Sequence, residues 1–235
     1  MKYKYIFIDL DDTIWDFHAN AKEAIRDIYH QEKLDNRFDD FDVFYHKYAV
    51  KNVELWTKYG QGLIDKDFLV KERFRHLLLE AGINDDSLAL KMNSDYLDML
   101  ATKKELKSYA IEFLNFCREH NLSMTIVSNG FTEVQYRKLK NAGIEHYFDH
   151  VVLSEEAGAL KPDPIIFQYA MNLNKSKPEE ILMIGDSFDA DIVGAVGVGI
   201  DALFLNDRGI NIDIPEGVKE IKSLKEAQEI IIATT

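Results

Sequence analysis

Residues 5–13 read Tyr5-Ile6-Phe7-Ile8-Asp9-Leu10-Asp11-Asp12-Thr13, and no other stretch narrows the possible folds as much. Tyr5 through Ile8 are apolar and β-favouring, the pattern of a short strand buried on both faces. The run then breaks directly into three acids and a threonine. Carboxylates crowded at the end of a buried strand raise each other's pKa and repel. A hard divalent cation resolves that conflict, since Mg²⁺ binds through one or two carboxylates together with phosphate and water oxygens. The alternative is a solvated acidic loop after an edge strand, and the rest of the chain decides between them.

From residue 16 to about 100 the chain reads as helices only. Apolar residues at 21, 24, 25, 28 and 29 share one helical face. Asp42 to Tyr59 continues with Phe44, Tyr48, Leu55 and Trp56, and Gly60-Gln61-Gly62 interrupts it. Asp65 is placed to cap a helix through Phe74 to Leu79, and a further helix runs from about Asp86 to Leu100. From about Lys103 strands and helices alternate, as in α/β proteins. Helix 107–119, strand 124–127 and helix 131–142 are followed by strand 151–153 and a helix opened by Pro164. Ser176-Lys177-Pro178-Glu179 fits a capping box, strands follow at 181–184 and 202–205, and residues 223–233 form a terminal helix. The expected fold is α/β: a doubly wound parallel sheet over residues 1–15 and 103–235, with a helical cap domain inserted at 16–102.

Ligands of open parallel sheets sit beyond the carboxyl ends of the strands. Three apolar strands here end in polar groups at that edge: Asp9-Leu10-Asp11, Ser128-Asn129 and Asp186. Lys161 lies in a loop, Gly158-Ala159-Leu160-Lys161-Pro162, that feeds a helix. In chain order the polar clusters are Asp-x-Asp-x-Thr, Ser-Asn, Lys-Pro and Gly-Asp-Ser-x-x-x-Asp. The sequence thereby resembles the haloacid dehalogenase-like phosphatases over nearly its full length.

That resemblance implies a core with an inserted helical cap, a bound Mg²⁺ and an aspartyl-phosphate intermediate. It makes Asp9 the nucleophile and Asp11 the acid that protonates the leaving oxygen and then the base for water. It gives Mg²⁺ to Asp9, Asp186 and the backbone carbonyl of Asp11. Thr13, Ser128 and Asn129 serve the phosphate-binding loops, and Lys161 offsets the charge of nucleophile and phosphate. In the last motif the position four residues after Asp186 is Ala190. Asp191, five residues on, is therefore assigned as the partner of Lys161 or of a metal-bound water, and Asp189 as a first-turn residue of the following helix. Gly194, Gly197 and Gly199 follow the acidic motif rather than open a helix after a strand, and are read as helix-packing positions.

The net charge of −13 argues against a nucleic-acid polymer as partner. No apolar run approaches the ~18 residues of a membrane span. Cys117 is the only cysteine and sits on an apolar helix face, so it is read as a core thiol in a reducing, cytoplasmic compartment. The substrate is expected to be a small-molecule phosphate ester. An acid at Asp11 favours phosphoryl chemistry over dehalogenation, because a departing halide needs no proton. A non-catalytic binding protein is disfavoured by the intact Asp9, while a sugar-phosphate phosphatase and a β-phosphoglucomutase-like phosphomutase stay open. The segments Asn52-Val53-Glu54-Leu55-Trp56, Tyr59 to Ile64, Arg73-Phe74 and Gln135-Tyr136 resemble the pyrimidine 5′-nucleotidase branch, which implies a nucleoside monophosphate. Gln61, flanked by two glycines and carrying both a donor and an acceptor, is the candidate for reading the base. Trp56, Tyr59 and Arg73 could also stack on or enclose it, although cap core is the favoured reading of each.

Overall fold

The computed structural model describes residues 2–38, 40–215 and 217–234. The chain divides into two compact units, residues 1–17 with 104–235 and residues 18–103.

The larger unit is built on six parallel strands: β1 (Tyr5–Ile8), β2 (Ser123–Ser128), β3 (His150–Leu153), β4 (Ile181–Gly185), β5 (Asp201–Leu205) and β6 (Lys219–Ile221). Their order is β3-β2-β1-β4-β5-β6. The chain winds outward from β1 through β2 to β3, then returns to lay β4 on the other side of β1. A doubly wound sheet opens its ligand crevice at that reversal, so the carboxyl end of β1 is the favoured place for a site. Ile8 pairs with Ile126 on one side and Ile184 on the other, which brings the ends of β1, β2 and β4 to one level. Side chains alternate between the faces of the sheet. Phe7, Val127, Val152, Met183 and Phe204 share one buried cluster with Ile166, Phe167 and Ile192, while Ile6 and Ile8 are equally buried outside that cluster.

The helical unit contains most of α1 (Phe17–Gln31), then α2 (Phe41–Gly60), α3 (Lys66–Glu80) and α4 (Asp86–Leu100). All five apolar positions read on the first helix are buried. Asp65 caps α3, its carboxylate accepting the Phe68 N–H at 2.8 Å. Tyr48, Phe74 and Tyr96 pack their rings 5.6–5.8 Å apart in its core. No helix among the described residues is long and apolar enough to cross a membrane.

The remaining helices lie in the larger unit: α5 (Ala110–Glu119), α6 (Thr132–Asn141), the single turn α7 (Ser154–Ala157), α8 (Pro164–Asn174), the short α9 (Gly194–Gly197) and α10 (Leu224–Ala233). Several local expectations need correction. Helix α5 begins at Ala110 rather than 107, because Tyr109 turns left-handed at φ 68°. The capping box is displaced by one residue: the Lys177 N–H donates to Glu180 Oε2, and only a 3₁₀ turn over Pro178–Glu180 follows. The final strand β6 has just three residues and no alternation to announce it. Cys117 is fully buried, and burial pushes its thiol up to about 12, as befits a core residue.

Candidate active site

Asp9 directly follows β1, and its N–H donates to the Ile184 carbonyl, extending the pairing with β4 by one residue. The chain then closes on itself. The N–H groups of Ile14 and Trp15 both donate to the Leu10 carbonyl, at 3.1 and 2.9 Å, and the Asp12 N–H donates to the Trp15 carbonyl at 2.7 Å. The turn requires φ 60° at Asp12, a left-handed conformation that aspartate tolerates better than most residues. Its buried carboxylate pairs with Arg208 Nη2 at 2.6 Å.

Lys161 gathers the site. Its Nζ, in a side chain only 2% exposed, donates at 2.6 Å to each of Asp9 Oδ1, Asp191 Oδ1 and the Val127 carbonyl. An ammonium has three protons and no acceptor, so this set satisfies it fully. Burial would lower its pKa, but the Asp191 and Asp9 carboxylates outweigh that and keep it protonated. The loop carrying Lys161 is clamped by Asn129, whose Oδ1 accepts the Lys161 N–H at 2.7 Å and whose Nδ2 donates to the Lys161 carbonyl at 3.0 Å. The Asn129 amide, assigned from sequence to phosphate binding, is here occupied in holding the lysine loop.

Asp186 follows β4 and accepts the Thr13 hydroxyl at 3.4 Å. One carboxylate oxygen from each of Asp9, Asp186 and Asp191 lies within 4.8 Å of the others. Burial, then the Lys161 ammonium opposed by the Asp191 and Asp11 charges, leaves the Asp9 carboxyl raised to about 7. Burial and the Asp9 and Asp191 charges likewise raise Asp186 well above the usual carboxylate range. Acids that burial and mutual repulsion push towards protonation are suited to a hard cation, which supplies the charge that water no longer does. The donor set therefore fits Mg²⁺. Asp191 also accepts the Ser187 N–H at 3.0 Å through Oδ2, so both its oxygens have protein donors. Gly185 makes room for it, since a Cβ there would lie 2.2 Å from Asp191 Oδ2.

Asp11 turns to a different set of partners. Its Oδ1 accepts from Lys138 Nζ at 2.7 Å and its Oδ2 from Gln135 Nε2 at 2.9 Å. Gln135 Nε2 also donates to Ser128 Oγ at 2.8 Å, which in turn accepts the Gly130 N–H at 3.1 Å. The structure thus brings Asp9, Asp11, Thr13, Ser128, Asn129, Lys161, Asp186 and Asp191 to one edge of the sheet. Sequence reading missed Lys138 as a member and quoted Gln135 only for its resemblance. Their one local signal is a lysine and a glutamine three residues apart on the face of α6 that also buries Val134 and Leu139.

The other candidates have surroundings of their own. Gln61 is exposed in the helical unit, where its N–H caps α2 by donating to the Thr57 carbonyl, and Gly62 follows at φ 69°. Trp56 and Tyr59 form an edge-on pair at 5.7 Å. Arg73 is not available to enclose a base: it is 2% exposed, donates to Asn93 Oδ1 at 2.7 Å and lies over the Tyr96 ring. Asp189 is exposed in the first turn of a π-helical segment, Phe188–Val193. Of the three late glycines only Gly194 is a packing position, with Phe167 2.6 Å from where its Cβ would be. Gly199 serves a left-handed turn at φ 82°, and Gly197 has open space.

A buried lysine binding two aspartates, at the reversal point of a doubly wound parallel sheet, defines an α/β enzyme with a carboxylate centre. The chain belongs to the haloacid dehalogenase-like hydrolases, whose family model matches residues 3–199. It is 28% identical to the pyrimidine 5′-nucleotidase YjjG of Escherichia coli (strain K12), over 98% of this chain and 99% of that protein. It is 30% identical to the pyrimidine 5′-nucleotidase PynA of Streptococcus pneumoniae (strain ATCC BAA-255 / R6), over 88% and 85%. A magnesium-bound crystal structure of the HAD-hydrolase YfnB from Bacillus subtilis superposes with a TM-score of 0.87 at 28% identity, covering 98% of this chain and 99% of that one.

Proposed function

We propose that this phosphoric monoester hydrolase is an Mg²⁺-dependent pyrimidine nucleoside 5′-monophosphatase working through an aspartyl-phosphate on Asp9. The observation that carries the chemistry is the environment of Asp9. One oxygen is fixed by Lys161, and among the described residues no donor takes the other, so a lone pair on a rigidly held carboxylate is left to attack phosphorus. Uncatalysed monoester hydrolysis is so slow that enzymes accelerate it by up to ~10²¹-fold, which calls for covalent, acid–base and electrostatic contributions together.

In the first half-reaction Asp9 bonds to phosphorus as the bond to the ester oxygen breaks, and Asp11 gives its proton to that oxygen. In the second, water attacks the phosphorus of the aspartyl-phosphate and loses its proton to Asp11. Asp9 is regenerated and inorganic phosphate leaves. Lys161 stays protonated throughout and offsets the charge on the nucleophile, and we assign Ser128 to the phosphoryl oxygens. Asp9, Asp186 and the Asp11 carbonyl would hold Mg²⁺, with Asp191 beside them anchoring Lys161. When bound, that ion supplies charge stabilisation to the phosphoryl group.

The nucleotide preference is supported by the two pyrimidine 5′-nucleotidases among its relatives. Gln61 in the helical unit is the residue we assign to the base. Phosphate release should be measured over a panel of purine and pyrimidine nucleotides, sugar phosphates and small phosphorylated metabolites. Pyrimidine monophosphates should give the highest kcat/KM. A panel led by sugar phosphates would overturn the substrate class, and conversion of a sugar phosphate to its isomer would replace the hydrolase with a mutase.

A further inference from the structure

Asp11 is the group in the site whose two carboxylate oxygens are both held by side chains of a single helix. Lys138 and Gln135, one turn apart on α6, take Oδ1 and Oδ2 respectively. Neither holder is a flexible surface group. Gln135 is fully buried and the Lys138 side chain is 3% exposed. The Lys138 ammonium lies 4.4 Å from the centre of the buried Trp15 ring and 5.6 Å from that of Phe17, both within attractive cation–π range. Gln135 is fixed from the opposite direction: a Cβ on Gly130 would fall 2.3 Å from its Nε2, so the glycine is what lets that amide reach both Asp11 and Ser128.

A long, rotamer-rich lysine is normally costly to immobilise. Here two aromatic rings hold it against one oxygen of the carboxylate, and the glycine leaves room for the amide that takes the other. We propose that Lys138 is a positioning residue for the reaction, which with Gln135 fixes the direction in which Asp11 faces the ester oxygen. The inference rests on the reading of Asp11 as the general acid. The two contacts are those of its ionised form, the one that receives the proton of the attacking water, and the oxygen that takes up this proton keeps its direction through the contact on the other. Because Gln135 also donates to Ser128 Oγ at 2.8 Å, one helix then holds both that serine and the acid. Misplacement of a reacting group by about 1 Å can cost ~10²-fold in rate.

The experiment compares kcat/KM on an alkyl phosphate, whose leaving oxygen needs a proton, with that on p-nitrophenyl phosphate, whose leaving group departs without one. The proteins are wild type, Lys138→Met, Lys138→Arg, Gln135→Ala and Asp11→Asn, each checked for folding by circular dichroism and melting temperature. Lys138→Met should lower kcat/KM roughly 10- to 100-fold on the alkyl ester and less than about 3-fold on the aryl ester. Lys138→Arg should recover most of the loss, and Gln135→Ala should show the same selectivity more weakly. If Asp11→Asn is leaving-group selective and Lys138→Met is not, the positioning role is overturned and the acid assignment stands. If Asp11→Asn affects both esters alike, the acid assignment falls and the positioning role falls with it. Should Lys138→Met fail to fold, Gln135→Ala decides, and equal losses on both esters would overturn the proposal.

Discussion

The Nζ of Lys161 lies 2.6 Å from Oδ1 of Asp191, and both side chains are almost completely buried. Through this contact the π-helical segment after β4 sets the position of the lysine that holds the nucleophile candidate. Removing one partner of a buried ion pair leaves an uncompensated charge and costs roughly 3–5 kcal/mol. Asp191→Asn is expected to lose a good part of that, softened because Asp9 still binds the lysine, and urea denaturation measures it. Activity should fall further than the lost stability explains, even where the variant is fully folded.

Gly185→Ala tests the same relationship without altering a polar group. A methyl there would overlap Asp191 Oδ2, and the contact must be relieved by moving Asp191 and with it Lys161. Overpacking of this kind typically costs about 1–3 kcal/mol. A folded Gly185→Ala protein should have at most a few per cent of wild-type kcat/KM, and unchanged kinetics would show that Asp191 tolerates displacement.

The metal assignment carries a pH signature. The carboxyls of Asp9 and Asp186 are raised in the folded chain, to about 7 for Asp9, chiefly by burial. The metal-free fold therefore binds protons more tightly than the unfolded chain at these groups, and their contribution to stability declines as pH rises from the ordinary carboxylate range towards 7. Mg²⁺ must displace those protons at low pH but not at high pH. Thermal unfolding with and without Mg²⁺ should show a small rise in Tm at about pH 5 and a larger one at about pH 8. The difference should shrink in Asp186→Asn, and a pH-independent rise in both proteins would remove these carboxylates from the metal site.

Gln61→Ala should lower kcat/KM for a pyrimidine nucleotide by about 5- to 150-fold, the equivalent of one or two hydrogen bonds, while sparing a small aryl phosphate. Equal losses on both substrates would make the turn at Gly60-Gln61-Gly62 structural.

The features legible in the sequence are those encoded locally. Strand β1 and its acids are contiguous, the apolar periodicity of α1 and the Asp65 cap of α3 lie within a few residues, and the polar clusters at the ends of β2 and β4 follow from strands too apolar to be surface. What stayed hidden depends on tertiary packing. Nothing local distinguishes Lys138 from the neighbouring Lys140, since burial beneath Trp15 arises only when α6 meets the loop after β1. Asn129 reads as a phosphate ligand because the backbone it clamps lies 32 residues away. Arg73 reads as cap core before ligand contact, and it is buried, but its amide partner Asn93 lies 20 residues away and has no local signal.

The central claim, phosphoryl transfer to Asp9, is tested most directly by rapid acid quench of the enzyme with a ³²P-labelled phosphate ester and Mg²⁺. An acyl phosphate survives acid and is cleaved by hydroxylamine. The expected result is protein-bound label that forms and decays at rates competent for turnover, is released by hydroxylamine, maps to the peptide containing Asp9 and is absent in Asp9→Asn. Steady turnover with no protein-bound phosphate at any quench time, or label on another residue, would contradict the account.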